Sequence, residues 1–235
     1  MFAQAPRIER VDFGPGRSAW VVDDVLRDPE ALRRRAVTGR ANFAAAPFNA
    51  YPGLEWRMDP EVDGPLAEFF MLHLRSALGA RRTLSMYSRL SLATLQPHEL
   101  RPLQRLCHRD RFGTGPAECV AACTLYLFDD PALGGTGFYE PRRPVAEIDA
   151  RIRHWSTLDD AAFTAEMGAA PAYLTGSNDW FELVGTVPAR FNRAVFYDGG
   201  RFHSSHITDP QRLSDDPACG RLTLNGFFVC RRAAA

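Results

Sequence analysis

The chain has 235 residues, enough to bury a sizeable core in one large domain or two small ones. Its 28 basic residues balance 28 acidic ones, so composition gives no case for nucleic acid or an anionic membrane as the main partner. Every basic residue other than histidine is arginine. That excludes Schiff-base lysine chemistry and requires any carboxylate clamp to be an arginine.

The opening MFAQAPRIERVDFGPG lacks the charged start and apolar run of a signal peptide. RSAWVVDDVL reads as a short strand and turn. Asp28-Pro29-Glu30 then opens a helix, with Asp28 as cap, Pro29 in the first turn and Glu30 favourable to the dipole; it runs through ALRRRAV and stops near Gly39. A second helix is predicted from about Pro65 to Leu78, burying Leu66, Phe69, Phe70, Leu72 and Leu74 and ending at Gly79.

From Thr83 the period becomes two. Leu84, Met86, Ser88, Leu90 and Leu92 alternate with Ser85, Tyr87, Arg89 and Ser91, a strand pattern. Glu118–Phe128 is a near-continuous apolar run of strand formers. Gly134–Tyr139 is a turn entering a short strand. Asp179–Val187, Asn192–Tyr197 and Arg221–Cys230 read as further strands. Several short strands with Gly, Pro and Asp punctuation predict a barrel or two-sheet sandwich.

The pattern lapses from Pro141 to Ser177, where VAEIDARIRHWSTLDDAAFTAEMG is helical. This segment is predicted as an insertion over one mouth of the barrel that grips a substrate, or as a cover for an exposed sheet edge. Trp155, Tyr173, Trp180 and Phe181 are candidates to line a pocket there, or to fill the core. The expected organisation is one domain over 1–235, with an α/β part at 1–80, a jelly-roll core at 81–230 and the insertion at about 141–177.

No apolar stretch approaches the roughly 20 residues of a membrane helix. Cysteines 107, 119, 123, 219 and 230 form no CxxC pair and stand at no zinc-finger spacing with histidine. They read as reduced, mostly buried thiols, which predicts a cytoplasmic location.

The chemistry concentrates in His108-Arg109-Asp110, the distant His203 and Arg221. Residues i and i+2 of a strand share a face, so His108 and Asp110 can aim at one metal while Arg109 points away. Two imidazoles and one carboxylate form the ligand set of a non-haem Fe(II) centre whose other positions stay open. The absence of thiolates argues against structural zinc. His206 competes with His203; three apart on a strand, they face opposite sides. On the last strand Arg221, Thr223 and Asn225 share one face. A buried arginine needs a partner. The candidates are a ligand carboxylate, held bidentately, or a protein acid such as Asp198.

These motifs resemble the Fe(II)/2-oxoglutarate dioxygenase superfamily, in its prolyl-hydroxylase-like branch, and a poorly characterised bacterial family within it. The resemblance covers about Tyr87 to Val229 and is carried by HRD at 108–110, TLYLF at 124–128, GGTGFY at 134–139, NRAVFYDGG from 192, His203 and RLTLNGFF from 221. It implies a fold that is mainly β with helices, the double-stranded β-helix, with N-terminal helices packed on one sheet. It implies His108, Asp110 and His203 as iron ligands and Arg221 as the clamp for the 2-oxoglutarate C5-carboxylate, joined by Tyr126 and Thr223. The loop TDPQRLSDDPACG makes the His203-to-Arg221 spacing longer than is usual in the family.

The implied activity is a hydroxylase using Fe(II), 2-oxoglutarate and O2 on a C–H bond of a peptide, amino acid or small metabolite. Asp110 favours hydroxylation over halogenation, which replaces that carboxylate with a small residue. Two rival expectations are a non-catalytic jelly-roll binding module and a cupin-like metalloenzyme that does not use 2-oxoglutarate.

Overall fold

The computed structural model describes residues 1–46, 50–110 and 114–233. Its strands are β1 (Ile8–Asp12), β2 (Ser18–Val22), β3 (Ala44–Ala45), β4 (Gly53–Arg57), β5 (Ala80–Ala93), β6 (Glu118–Tyr126), β7 (Gly135–Pro141), β8 (Phe181–Val187), β9 (Ala194–Asp198), β10 (Phe202–His206) and β11 (Arg221–Arg232). The α-helices are α1 (Pro29–Thr38), α2 (Pro60–Phe69), α3 (Val145–Trp155) and α4 (Asp160–Met167).

The large sheet has the order β1-β2-β9-β6-β11-β5-β4-β3, and the small sheet the order β10-β7-β8. An antiparallel bridge from His108 to His203 adds the segment before β6 to the small sheet. The chain therefore steps between sheets: β5 in the large one, His108 in the small, β6 in the large, β7 and β8 in the small, β9 in the large, β10 in the small, β11 in the large. This winding is the double-stranded β-helix, as expected.

The apolar run of β6 is explained by burial on both faces. Ala122 and Tyr126 point between the sheets, where they meet Val195, Tyr197 and Phe138. Cys119, Ala121, Cys123 and Leu125 point the other way, onto Leu32, Val62, Leu66 and Phe69 of α1 and α2. Four of the five cysteines are buried, all are free thiols, and Cys219 is exposed.

Helix α1 is capped as predicted: the Asp28 side chain accepts from Ala31 N, and Gly39 caps the end. The second helix needs correction. It starts at Pro60, not Pro65, because Asp59-Pro60-Glu61 repeats the capping signature of Asp28-Pro29-Glu30. It then passes into a π turn over Phe70–Leu74. The wider turn rotates the following residues. Phe70 stacks on Phe228 at 4.0 Å and Leu74 is buried, while Leu72 is 65% exposed instead of buried.

The segment between β7 and β8 is helical, as expected, and its two helices lie on the outward face of the small sheet. Ile148, Trp155 and Phe163 pack onto Tyr139, Phe181 and Phe202, the outward residues of the small sheet, and onto Leu106 and Cys107 ahead of His108. Trp155 and Phe181 are thus core residues, with Trp180 packed against them.

The turn into β7 depends on Gly134. Its φ is +69°, and an added Cβ would sit 1.7 Å from the His206 carbonyl oxygen. Gly134→Ala is expected to cost roughly 2–5 kcal/mol, from left-handed strain plus overpacking. Urea unfolding checks this, and a loss under 1 kcal/mol would contradict the tight approach.

Candidate metal centre

The ladder between His108 and His203 builds the site. Each backbone N–H donates to the other's carbonyl at 2.9 Å, which sets the two imidazoles side by side with centroids 4.4 Å apart. Asp110 N donates to Gly199 O at 2.7 Å and holds the next residue in place. Alternation then turns His108 and Asp110 inward and Arg109 outward. Arg109 pairs with Asp149 of α3 and lies over the Phe202 ring at 4.4 Å. The outward side chain of the motif thereby ties the insertion to the site.

One ligand-type atom from each of His108, Asp110 and His203 falls within 4.8 Å of the others. His203 Nε2 is 3.4 Å from Asp110 Oδ2, and His108 Nε2 is 3.7 Å from Asp110 Oδ1. His203 Nδ1 donates to the Arg201 carbonyl at 2.9 Å, so the Nε2 lone pair faces inward. His206, paired with Gly135 further along β10, lies outside this cluster.

Burial pushes the Asp110 carboxyl up, against the opposing pull of His203 and Arg89. Its Oδ2 is buried and makes no hydrogen bond among the described residues. Desolvation by the cavity walls, then His203 and Arg89, lower His108 well below the ordinary imidazole range, although its side chain is 55% exposed toward the cavities it lines. Two imidazole nitrogens and an unsatisfied carboxylate oxygen facing one small volume fit a divalent cation with N/O ligands. A buried polar oxygen without a partner is otherwise costly.

The inner cavity that contains these three residues is also lined by Arg221, Thr223 and Asn225 of β11. Arg221 is 2% exposed. Its Nε donates to Leu133 O at 2.9 Å and its Nη2 to Gly135 O at 2.8 Å. Asp198, the protein acid considered for it, instead accepts from Gly200 N at the end of β9. Arg221 thus joins the last strand of the large sheet to the turn that opens the small one.

Tyr126 is fully buried but is not among the residues lining this cavity; its hydroxyl bonds at 2.7 Å to that of Thr136, which is. The phenol at the cavity wall beside Arg221 and Thr223 is Tyr51, whose titration burial pushes up to about 12. Tyr51, Arg89 and Tyr197, whose ring packs on His203 at 4.6 Å, were not anticipated. For Arg89 a signal existed in the polar face of the β5 alternation. For Tyr51 there was none, because it precedes β4 with no periodic pattern.

A second, outer cavity of about 320 Å3 shares His108, Asp110, Tyr51 and Arg89 with the inner one. Tyr173 reaches it from beyond α4, with its hydroxyl donating to Leu95 O at 2.7 Å. Gln104 Nε2 donates to Tyr51 O at 3.0 Å and ties two of the walls together. No helix among the described residues is long and apolar enough to cross a membrane.

The profile of a family of unknown function, DUF6445, matches residues 4–228. The chain belongs to this family. No curated protein matches this DUF6445 member. Among solved structures it is similar to a Pseudomonas putida prolyl-4-hydroxylase at 15% identity, over 93% of this chain and 95% of that one, with a TM-score of 0.47. It is also similar to the non-haem α-ketoglutarate-dependent carbocyclase SnoK from nogalamycin biosynthesis, at 14% identity over 92% and 80% and a TM-score of 0.49. HygX from Streptomyces hygroscopicus with nickel, 2-oxoglutarate and hygromycin B bound has 13% identity over 91% and 82% and a TM-score of 0.43.

Proposed function

We propose that this DUF6445 member is an Fe(II)- and 2-oxoglutarate-dependent oxygenase of the hydroxylase type, acting on a small-molecule or peptide substrate. The observation that carries the reading is the buried, unsatisfied Asp110 carboxylate between the inward nitrogens of His108 and His203. His108, Asp110 and His203 would hold the iron, and Arg221 with Thr223 would hold the far carboxylate of the cosubstrate. Tyr126 would act behind them, through Thr136.

When bound, the iron with 2-oxoglutarate and O2 supplies the oxidising power for attack on a C–H bond. The chain's own part is placement. The Arg201 carbonyl fixes the His203 tautomer, and the paired backbone bonds fix the angle between the rings. Arg221 offers a fixed cation that is buried from solvent, where a carboxylate is held more strongly than in water. Asp110 would supply the third, carboxylate ligand, and the resemblance implies that halogenases replace that carboxylate with a small residue, which favours hydroxylation.

A cupin-like metal enzyme without 2-oxoglutarate is the second reading. It is favoured by the two protein carbonyls on Arg221, which account for part of its burial without a ligand. The deciding experiment is an anaerobic visible spectrum of metal-stripped protein with Fe(II), before and after 2-oxoglutarate. A new charge-transfer band is expected from chelation at the iron. Fe(II) binding without the band would favour the cupin-like reading, and no Fe(II) binding would end both.

A further inference from the structure

The outer cavity is in the size range of small-molecule sites. Its walls are largely apolar or aromatic, with Pro52, Tyr87, Leu103, Leu106, Tyr173 and Phe227 among them. Two arginines interrupt these walls. Arg109 is committed to Asp149 and Phe202. Arg89 is differently placed. It projects from β5 with a side chain only 18% exposed, and it lines both cavities.

The Arg89 guanidinium lies over the Phe227 ring at 4.9 Å and the Tyr51 ring at 5.8 Å. Glu55 holds it from one side, with Nε 3.0 Å from Oε1 and Nη1 3.1 Å from Oε2. Glu55 stands off the cavity lining. Asp110, assigned above to the metal, is the one acid that reaches the lining among the described residues.

We propose that the outer cavity takes a compact carboxylic acid with an aromatic or apolar body, its carboxylate held by Arg89. This rests on the oxygenase reading and names the substrate class for that site. A planar guanidinium fixed by ring stacking and by a carboxylate behind it is prepared for a planar anion. An ammonium group in the same place would be repelled. A neutral substrate would leave a costly, largely buried ion pair at the wall without use.

The test titrates 3-phenylpropanoate, 3-phenylpropan-1-ol and 3-phenylpropylamine by calorimetry into protein loaded anaerobically with Fe(II) and saturating 2-oxoglutarate. The acid is expected to bind at least tenfold more tightly than the alcohol or the amine. The double variant Arg89→Gln/Glu55→Gln removes both charges and leaves neither buried alone. It should lose the preference and keep the wild-type melting temperature. Equal binding of the alcohol or amine, a preference that survives in the double variant, or no binding of any of the three overturns the proposal. Failure of the oxygenase reading is seen separately, as a missing 2-oxoglutarate band in the same sample, while the heats still report the acid preference.

Discussion

Asp110→Ala is expected to abolish Fe(II) binding while leaving the metal-free protein as stable as the wild type, or more stable by about 1 kcal/mol. The two halves have one cause. The Asp110 carboxylate is buried, and its Oδ2 lies near a histidine nitrogen that already carries a lone pair inward. Without a cation this arrangement opposes folding. With one, binding to the folded state alone stabilises it, by roughly 2.7 kcal/mol at a hundredfold excess over Kd. Wild-type protein should therefore melt at higher temperature when Fe(II) is added without oxygen, and Asp110→Ala should not respond. A large destabilisation of the metal-free variant, with the Fe(II) response kept, would show Asp110 to be structural and remove the basis for a metal centre.

The same physics explains what could be read before any coordinates. The clustering of His108 with Asp110 was legible because HRD is a short-range signal, and strand alternation needs only one correct strand end to bring the two to one face; His203 came from the family resemblance. The strands β5 and β11 were legible from their two-residue alternation, and β6 from a near-continuous apolar run of strand formers. What the alternation of β5 concealed was direction. Leu90 and Leu92 face the helices, while Tyr87 and Arg89 face the cavities, so a polar strand face marked the site and not solvent. Tyr51 was invisible because its place beside Arg221 comes from the pairing of β4 with β5, a non-local contact. Tyr126 shows the converse limit. A local motif located the right strand, but its hydroxyl is taken by Thr136. The start of α2 was misplaced because Pro65 drew the helix start away from the Asp59-Pro60-Glu61 signature, which Pro65 did not override.

Arg221→Met is expected to have two effects that can be measured apart. The first is on the fold. Arg221 donates to Leu133 O and Gly135 O across the space between the sheets, on either side of the left-handed Gly134. Hydrogen bonds from a charged donor are worth about 1.5–3 kcal/mol each, so losing both should cost roughly 3–6 kcal/mol in urea unfolding. The second is on the cosubstrate. Truncating one partner of a buried charge pair costs on the order of 2–5 kcal/mol, a loss of about thirtyfold or more in 2-oxoglutarate affinity, read from the anaerobic band. Fe(II) affinity should hold, since the metal residues lie on other strands. The cupin-like reading predicts the first effect without the second. Arg221→Lys sharpens the choice. A lysine keeps the charge but cannot reproduce the planar fork, so it should restore part of the 2-oxoglutarate affinity while recovering little of the cross-sheet tie. Equal recovery of both would mean that the guanidinium acts on the cavity only by holding the turn at Gly134 in place.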